Sequence, residues 1–159
     1  MDERDHVADA RIARLPDFEL PATCGTLTGK ALRKGPTVLY FYPKDATTGC
    51  TVQAGEFRDL ASEFAAAGIR VVGVSRDSLA RHERFRDRQQ LPFDLIADVD
   101  EVLCGMFDVI RDKNLYGRQV RGIQRSTFLF DKTGKLRRSW RSVKVPAHAS
   151  LVLEAARAP

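Results

Sequence analysis

Cysteine is scarce in this chain, three residues in 159, and the three are scattered. Cys24, Cys50 and Cys104 form no C-x-x-C pair and share no metal-ligand spacing with His6, His82 or His148. Structural disulfides and a zinc site are therefore not expected, and neither is any other cofactor. Long apolar runs are missing too: nothing approaches the roughly 18 residues of a membrane span. The opening MDERDHVADARIAR has no apolar h-region, and its Asp2, Glu3, Asp5 and Asp9 do not suit a transit peptide. The expectation is a cytoplasmic protein with no membrane partner, in which residues 1–14 are a flexible tail and residues 15–159 one domain.

Acidic residues are nearly absent from one segment. Residues 111–144 hold 11 Lys/Arg against 2 Asp/Glu, whereas residues 1–110 hold 14 against 18. Such a segment could be a face for nucleic acid or an acidic partner. Aromatics are sparse there and no nucleic-acid motif accompanies them, so the simpler reading is a solvated surface with one or two arginines turned into a site.

What is present is a clear alternation of elements. PTVLYFYP (36–43) is a continuous apolar run bounded by prolines, which predicts a strand buried on both faces. From Cys50 the period changes to that of a helix, with Val52, Phe57, Leu60, Ala61, Phe64 and Ala65 on its inner stripe and Gly68 closing it. IRVVGVS (69–75) predicts a second buried strand. Asp77 or Ser78 caps a basic helix to about Gln89, with His82 a packed core or boundary residue. FDLIAD (93–98) predicts a third strand, and Asp100 to Phe107 a short helix. Residues 126–141 read as a hairpin around D-K-T-G, followed by a helix from about His148 to Ala156, with His148 near its cap. The fold class is α/β, with a mixed central sheet and helices on both faces.

Cys50 sits where the first buried strand gives way to a helix, after the polar turn Asp45-Ala-Thr-Thr-Gly. Unsatisfied N–H groups and the positive end of the helix dipole favour thiolate there. Complete ionisation raises a thiol's reactive fraction roughly 30-fold, about 2 kcal/mol, so it does not by itself make a fast enzyme. Donors that stabilise departing charge must be added. Thr47, three residues before Cys50, is placed to supply one, and a guanidinium from elsewhere would complete the pocket.

FYPKDATTGCT resembles the active-site segment of peroxiredoxins, with its P-x-x-x-[T/S]-x-x-C pattern. VVGVSRDS, LPFDLIADVDEVLCGMFDV and GIQRSTFLFDKTGK resemble, in the same order and spacing, the bacterioferritin comigratory protein (peroxiredoxin Q) subfamily, over roughly residues 15–157. The resemblance implies a thioredoxin-like fold and a thiol peroxidase acting on hydrogen peroxide and organic hydroperoxides. It makes Cys50 the peroxidatic cysteine, Thr47 the hydroxyl that bonds thiolate and peroxide, and Pro43 the shield against water. Arg125 becomes the guanidinium that steadies the transition state, and Gln53 a supporting residue. The implied partners are a peroxide and a reductant, either thioredoxin, glutaredoxin with glutathione, or another small thiol. A monomer is expected rather than a dimer.

Two departures from the subfamily stand out. Thr48 replaces a common proline before Gly-Cys, and the two usual resolving positions hold Gly55 and Arg86. Either Cys50 acts alone with an external thiol, which is the favoured expectation, or Cys104 or Cys24 resolves its sulfenic acid. Two other functions compete. A disulfide or glutathione-dependent oxidoreductase would lack its dithiol, since Thr47 stands at the first position. A redox sensor, or a protein binding nucleic acid or an acidic partner through residues 111–144, would not need the Pro43, Thr47, Cys50 and Arg125 set.

Overall fold

The central strand follows directly from its sequence. Thr37–Phe41 alternates Val38 and Tyr40 on one face with Leu39 and Phe41 on the other, and every residue is buried. Such a strand is stable only with an apolar layer on each side. The computed structural model describes residues 4–6 and 12–158. In chain order the elements are β1 (Arg4–His6), β2 (Glu19–Ala22), β3 (Gly25–Thr28), α1 (Gly29–Leu32), β4 (Thr37–Phe41), α2 (Thr48–Asp59), α3 (Ala61–Ala66) and β5 (Arg70–Ser75). They continue with α4 (Leu79–Gln89), β6 (Asp94–Ala97), α5 (Val102–Met106), β7 (Ile110–Leu115), β8 (Arg118–Ile123), β9 (Ser126–Phe130), β10 (Leu136–Arg141) and α6 (His148–Arg157).

Eight strands form one mixed sheet in the order β1-β10-β9-β4-β5-β6-β2-β3. Strands β4, β5 and β6 run parallel, and β9 lies antiparallel against β4. One core layer joins Val38, Tyr40 and Tyr42 to Cys50 and Phe57 of α2, Phe85 of α4 and Val152 of α6. The opposite layer joins Leu39 and Phe41 to Leu32 of α1 and Leu103, Cys104 and Phe107 around α5. This is the expected mixed sheet with helices on both faces.

Several expectations are corrected. The helix from Cys50 is interrupted at Leu60, whose ψ of 6° lies outside the helical well, so it becomes α2 and α3. Gly68, at φ +74, closes α3 as expected. Val52 is 47% exposed rather than inward. The inner stripe of α2 is Cys50, Gln53, Ala54 and Phe57, spaced one helical turn apart and including a polar residue. Of the expected tail, residues 1–3 and 7–11 lie outside the described residues. Arg4–His6 pair with Ser139–Arg141 of β10, and Ile12 is buried. His148 adjoins the N-cap of α6 as expected and is fully buried there, packed edge-on against Phe57 and Trp140.

The hairpin β7–β8 has no counterpart in the expectations. Both strands are largely exposed and therefore carry no alternation of apolar residues. Its turn is built by Tyr116 and Gly117, both at positive φ, which matches the right-handed twist of a two-residue hairpin.

Candidate active site

Strand β4 runs out at Phe41, and the chain crosses Tyr42 and half-buried Pro43 into the Asp45–Thr47 turn that leads into α2. Cys50 is the third residue of that helix, within the turn whose N–H groups lack intrahelical acceptors. It is 1% exposed. Arg125 donates from Nη2 to Cys50 Sγ at 3.5 Å and from Nη1 to Gln53 Oε1 at 2.6 Å. A guanidinium held by a buried amide one helical turn beyond the thiol is fixed in direction as well as charge. Gln53, 1% exposed, is thus the buried acceptor that holds Arg125. Arg125 itself is carried by the edge of β9, and its carbonyl accepts from Val143 N–H at 2.9 Å.

Thr47 occupies the N-cap position with extended backbone, yet its side chain does not cap the helix. Its hydroxyl donates to the Lys44 carbonyl at 2.9 Å. In this arrangement the single hydroxyl proton is committed to that carbonyl. The oxygen's lone pairs stay on an exposed part of the loop, where they can accept from an incoming hydroperoxide O–H.

The loop is braced from beneath by residues that the sequence did not single out for this purpose. Asp45, 2% exposed, accepts from Tyr42 O–H at 2.5 Å and contacts His82 Nδ1 at 2.7 Å. Its own N–H donates to Asp77 Oδ2 at 2.9 Å, an oxygen that also accepts from Ser75. His82 Nε2 faces the Ile96 carbonyl at 2.9 Å, so that nitrogen carries a proton. Asp45, Asp77 and His82 bring ligand atoms within 4.8 Å of one another, as a metal site would. Both ring nitrogens and the carboxylate oxygens are already committed to protein partners, so the cluster acts as a hydrogen-bonded brace. No motif spacing announces it, because Asp45 is 32 and 37 residues from its partners.

Gly49 was also missed. A Cβ there would lie 3.2 Å from Arg125 Nη2, so the glycine leaves room for the guanidinium over the first turn of α2. Behind Arg125, His148 Nε2 lies 2.8 Å from Thr127 Oγ1. Burial first, and then the Arg125 charge, pushes His148 down to about 4. It is a neutral neighbour of the site at physiological pH.

Neither remaining cysteine stands beside Cys50. Cys104 is fully buried in the opposite core layer, so the sheet separates the two thiols. Burial, and then the charge of Asp98, pushes its thiol far upward. Cys24 is exposed in the β2–β3 turn and interacts with Asp94 and Arg70, which begin β6 and β5. Cys50 follows the other, C-terminal end of the parallel strands. The usual resolving positions lie on α2 and α4, where Arg86 instead donates to the Phe93 carbonyl at 3.1 Å.

Several arginines of the basic segment are committed to partners within the fold, while its lysines are exposed. Arg141, 4% exposed, donates to the Phe107 and Asp108 carbonyls, and Arg137 donates to carbonyls at the end of α6. Arg111 pairs with Asp108, and Arg121 with Glu101. The hydrogen bond from Arg121, helped by one from Arg76, pulls Glu101 down to about 2.

The model of the AhpC/TSA family matches residues 13–139. The chain is 47% identical over 144 residues to peroxiredoxin Bcp of Xanthomonas campestris pv. campestris, covering 89% of this chain and 90% of that protein. It is 43% identical over 142 residues to peroxiredoxin Bcp of Bacillus subtilis, with coverage of 89% and 90%. Among solved structures, Xanthomonas campestris peroxiredoxin Q superposes with a TM-score of 0.86 at 45% identity, over 92% of this chain and 96% of that one. A second is the Xanthomonas campestris bacterioferritin comigratory protein, whose trapped complexes concern alkyl peroxide reduction. It gives a TM-score of 0.85 at 43% identity, with coverage of 92% and 98%.

Proposed function

The chain belongs to the AhpC/TSA family and is a thiol-dependent peroxidase of the peroxiredoxin Bcp type, and from that premise we propose that Cys50, Arg125, Thr47 and Pro43 carry its chemistry. The substrates are hydrogen peroxide and organic hydroperoxides. The Cys50 thiolate attacks one peroxide oxygen, the O–O bond breaks, and the departing oxygen takes a proton to leave as water or an alcohol. Cys50 is left as a sulfenic acid. Arg125 draws negative charge toward the reacting sulfur and peroxide, the contribution of a preorganised oxyanion donor. Thr47 Oγ1 accepts a hydrogen bond from the hydroperoxide O–H and so orients the oxygen pair, while Pro43 and the burial of Cys50 limit water at the thiolate.

The observation that carries this reading is the Arg125 fork, one nitrogen on Cys50 Sγ at 3.5 Å and the other on Gln53 at 2.6 Å. We further propose a one-cysteine cycle in which an external thiol reduces the sulfenic acid. The positions of Cys24 and Cys104 support it. The three free cysteines support a reducing compartment, the cytoplasm. No helix among the described residues is long and apolar enough to cross a membrane. A monomeric state completes the proposal. Binding of nucleic acid or an acidic partner through residues 111–144 is not favoured, because most of that segment's arginines serve carbonyls and carboxylates of the fold. Steady-state peroxide consumption by Cys50→Ser tests the assignment: activity is expected to vanish, and retained turnover refutes it.

A further inference from the structure

The cycle leaves a demand for a thiol that the chain itself does not meet beside Cys50, and one cavity borders the same loop. It has a volume of about 190 Å³ and is lined by Asp45, Ala46, Arg81, Arg84, Phe85 and Arg88. Ala46 stands four residues before Cys50, in the loop that opens α2. The three arginines come from one face of α4, at the spacing that stacks side chains along a helix. Helix α4 lies beside α2, and Arg58 of α2 donates to the Gln89 carbonyl at the end of α4 at 2.9 Å.

The charges of this cavity are unevenly committed. Arg81 gives its Nε to Asp77 at 3.1 Å. Arg84 and Arg88 have no hydrogen-bond or ion-pair partner among the described residues. The carboxylate on the wall, Asp45, is turned away to Tyr42 and His82. The acids of α4, Glu83 and Asp87, line a different depression with Thr23 and Arg86. Two unpartnered guanidinium groups beside a third suit a carboxylate, which arginine binds through paired N–H donors.

Building on the peroxidase reading of Cys50, we propose that this arginine-lined cavity docks a small anionic thiol, one bearing a carboxylate, which reduces the Cys50 sulfenic acid. The sulfur of the docked thiol attacks the Cys50 sulfur. The S–O bond breaks, an S–S bond forms, and the hydroxyl leaves as water with the thiol's proton. A second molecule of the same thiol attacks this mixed disulfide, releases the small disulfide and returns the Cys50 thiol. Two thiols thus supply the two electrons. Anchoring by the carboxylate raises the local thiol concentration at a sulfur that is only 1% exposed. A carboxylate-bearing hydroperoxide would present the same anion. The missing thiol at the resolving positions on α2 and α4 favours the reductant.

The test is stopped-flow reduction of protein first oxidised with one equivalent of hydrogen peroxide. Mercaptosuccinate is the anionic probe and 2-mercaptoethanol the neutral one, in wild type and in Arg84→Glu/Arg88→Glu. The ratio of the two rate constants is expected to fall about tenfold or more, the size of one lost charge-assisted contact. Arg84→Gln/Arg88→Gln, at two exposed positions, is expected to give an intermediate ratio. An unchanged ratio in both variants overturns the proposal. So does an unchanged ratio with slower oxidation by a carboxylate-bearing hydroperoxide, which would assign the cavity to the substrate. If the wild-type protein forms no sulfenic acid before any thiol is added, the peroxidase reading itself fails, and the docking proposal with it.

Discussion

Arg125 reaches Cys50 across 75 residues of chain because Ser126 is paired with Phe41 where β9 meets β4. The antiparallel register brings the residue before β9 to the end of β4 from which the active-site loop departs. A helix turn then brings Gln53 under the guanidinium. Three elements therefore set one donor.

Truncating that donor should slow the chemistry without unfolding the protein. Arg125→Ala is expected to lose about 2–4 kcal/mol of transition-state stabilisation, as removal of an oxyanion donor does. Arg125→Lys keeps the charge but has no fork to hold both Gln53 and Cys50, so it should recover only part of the loss. The second-order rate constant with hydrogen peroxide is the readout. A near-native rate in Arg125→Ala removes the residue from the site.

Gly49→Ala should separate stability from activity. Alanine is the better helix former by up to about 1 kcal/mol, which favours the first turn of α2. Its methyl group would sit 3.2 Å from Arg125 Nη2 and press on the guanidinium. The melting temperature is expected to hold or rise while the peroxide rate falls several-fold. A rate that also holds would mean that the guanidinium has room to yield.

The brace beneath the loop predicts a coupled pair. Asp45→Asn leaves His82 and Tyr42 with weaker partners in a buried setting and should cost about 1–3 kcal/mol of stability. His82→Leu should cost a similar amount. The double variant should lose less than the sum, since both remove one shared interaction. Additive losses in urea titrations would show that the two residues act independently.

His148 makes stability depend on pH in a defined window. Its folded value is lowered from 6.5 to about 4. Below pH 6.5 the unfolded chain takes up a proton that the folded protein refuses, so stability falls as pH drops from about 6.5 to about 4 and then levels. The contribution is on the order of 3 kcal/mol across that range. Replacing His148 with Asn should flatten this part of the curve. An unchanged slope in the variant would assign the acid sensitivity to other groups.

Much of this was legible before any coordinates. The continuous apolar runs that became β4, β5 and β6 could only be strands covered on both faces, and P-x-x-x-T-x-x-C marked the turn into α2. Less visible was anything whose partner lies far along the chain. Asp45 reads as a turn residue, and His82 only as a packed one, until β5 and α4 bring Asp77 and His82 against the loop. Val52 was read the wrong way round, because apolar character was taken to point inward, and the inner stripe of α2 carries Gln53 instead. Arg125 needed a buried acceptor, and that requirement outweighed the burial of one valine. The β7–β8 ribbon left no apolar pattern because it buries almost nothing, although Tyr116-Gly117 could have suggested its turn.

The central claim is that Cys50 is oxidised alone beside Arg125, and the thiol count after one equivalent of hydrogen peroxide tests it most directly. Intact mass, dimedone trapping and non-reducing peptide mapping would be read on the same sample. The account predicts the loss of one thiol, with the trapped sulfenic acid at Cys50 and Cys24 and Cys104 still free. Loss of two thiols, with Cys50 joined to Cys24 or Cys104, would contradict it.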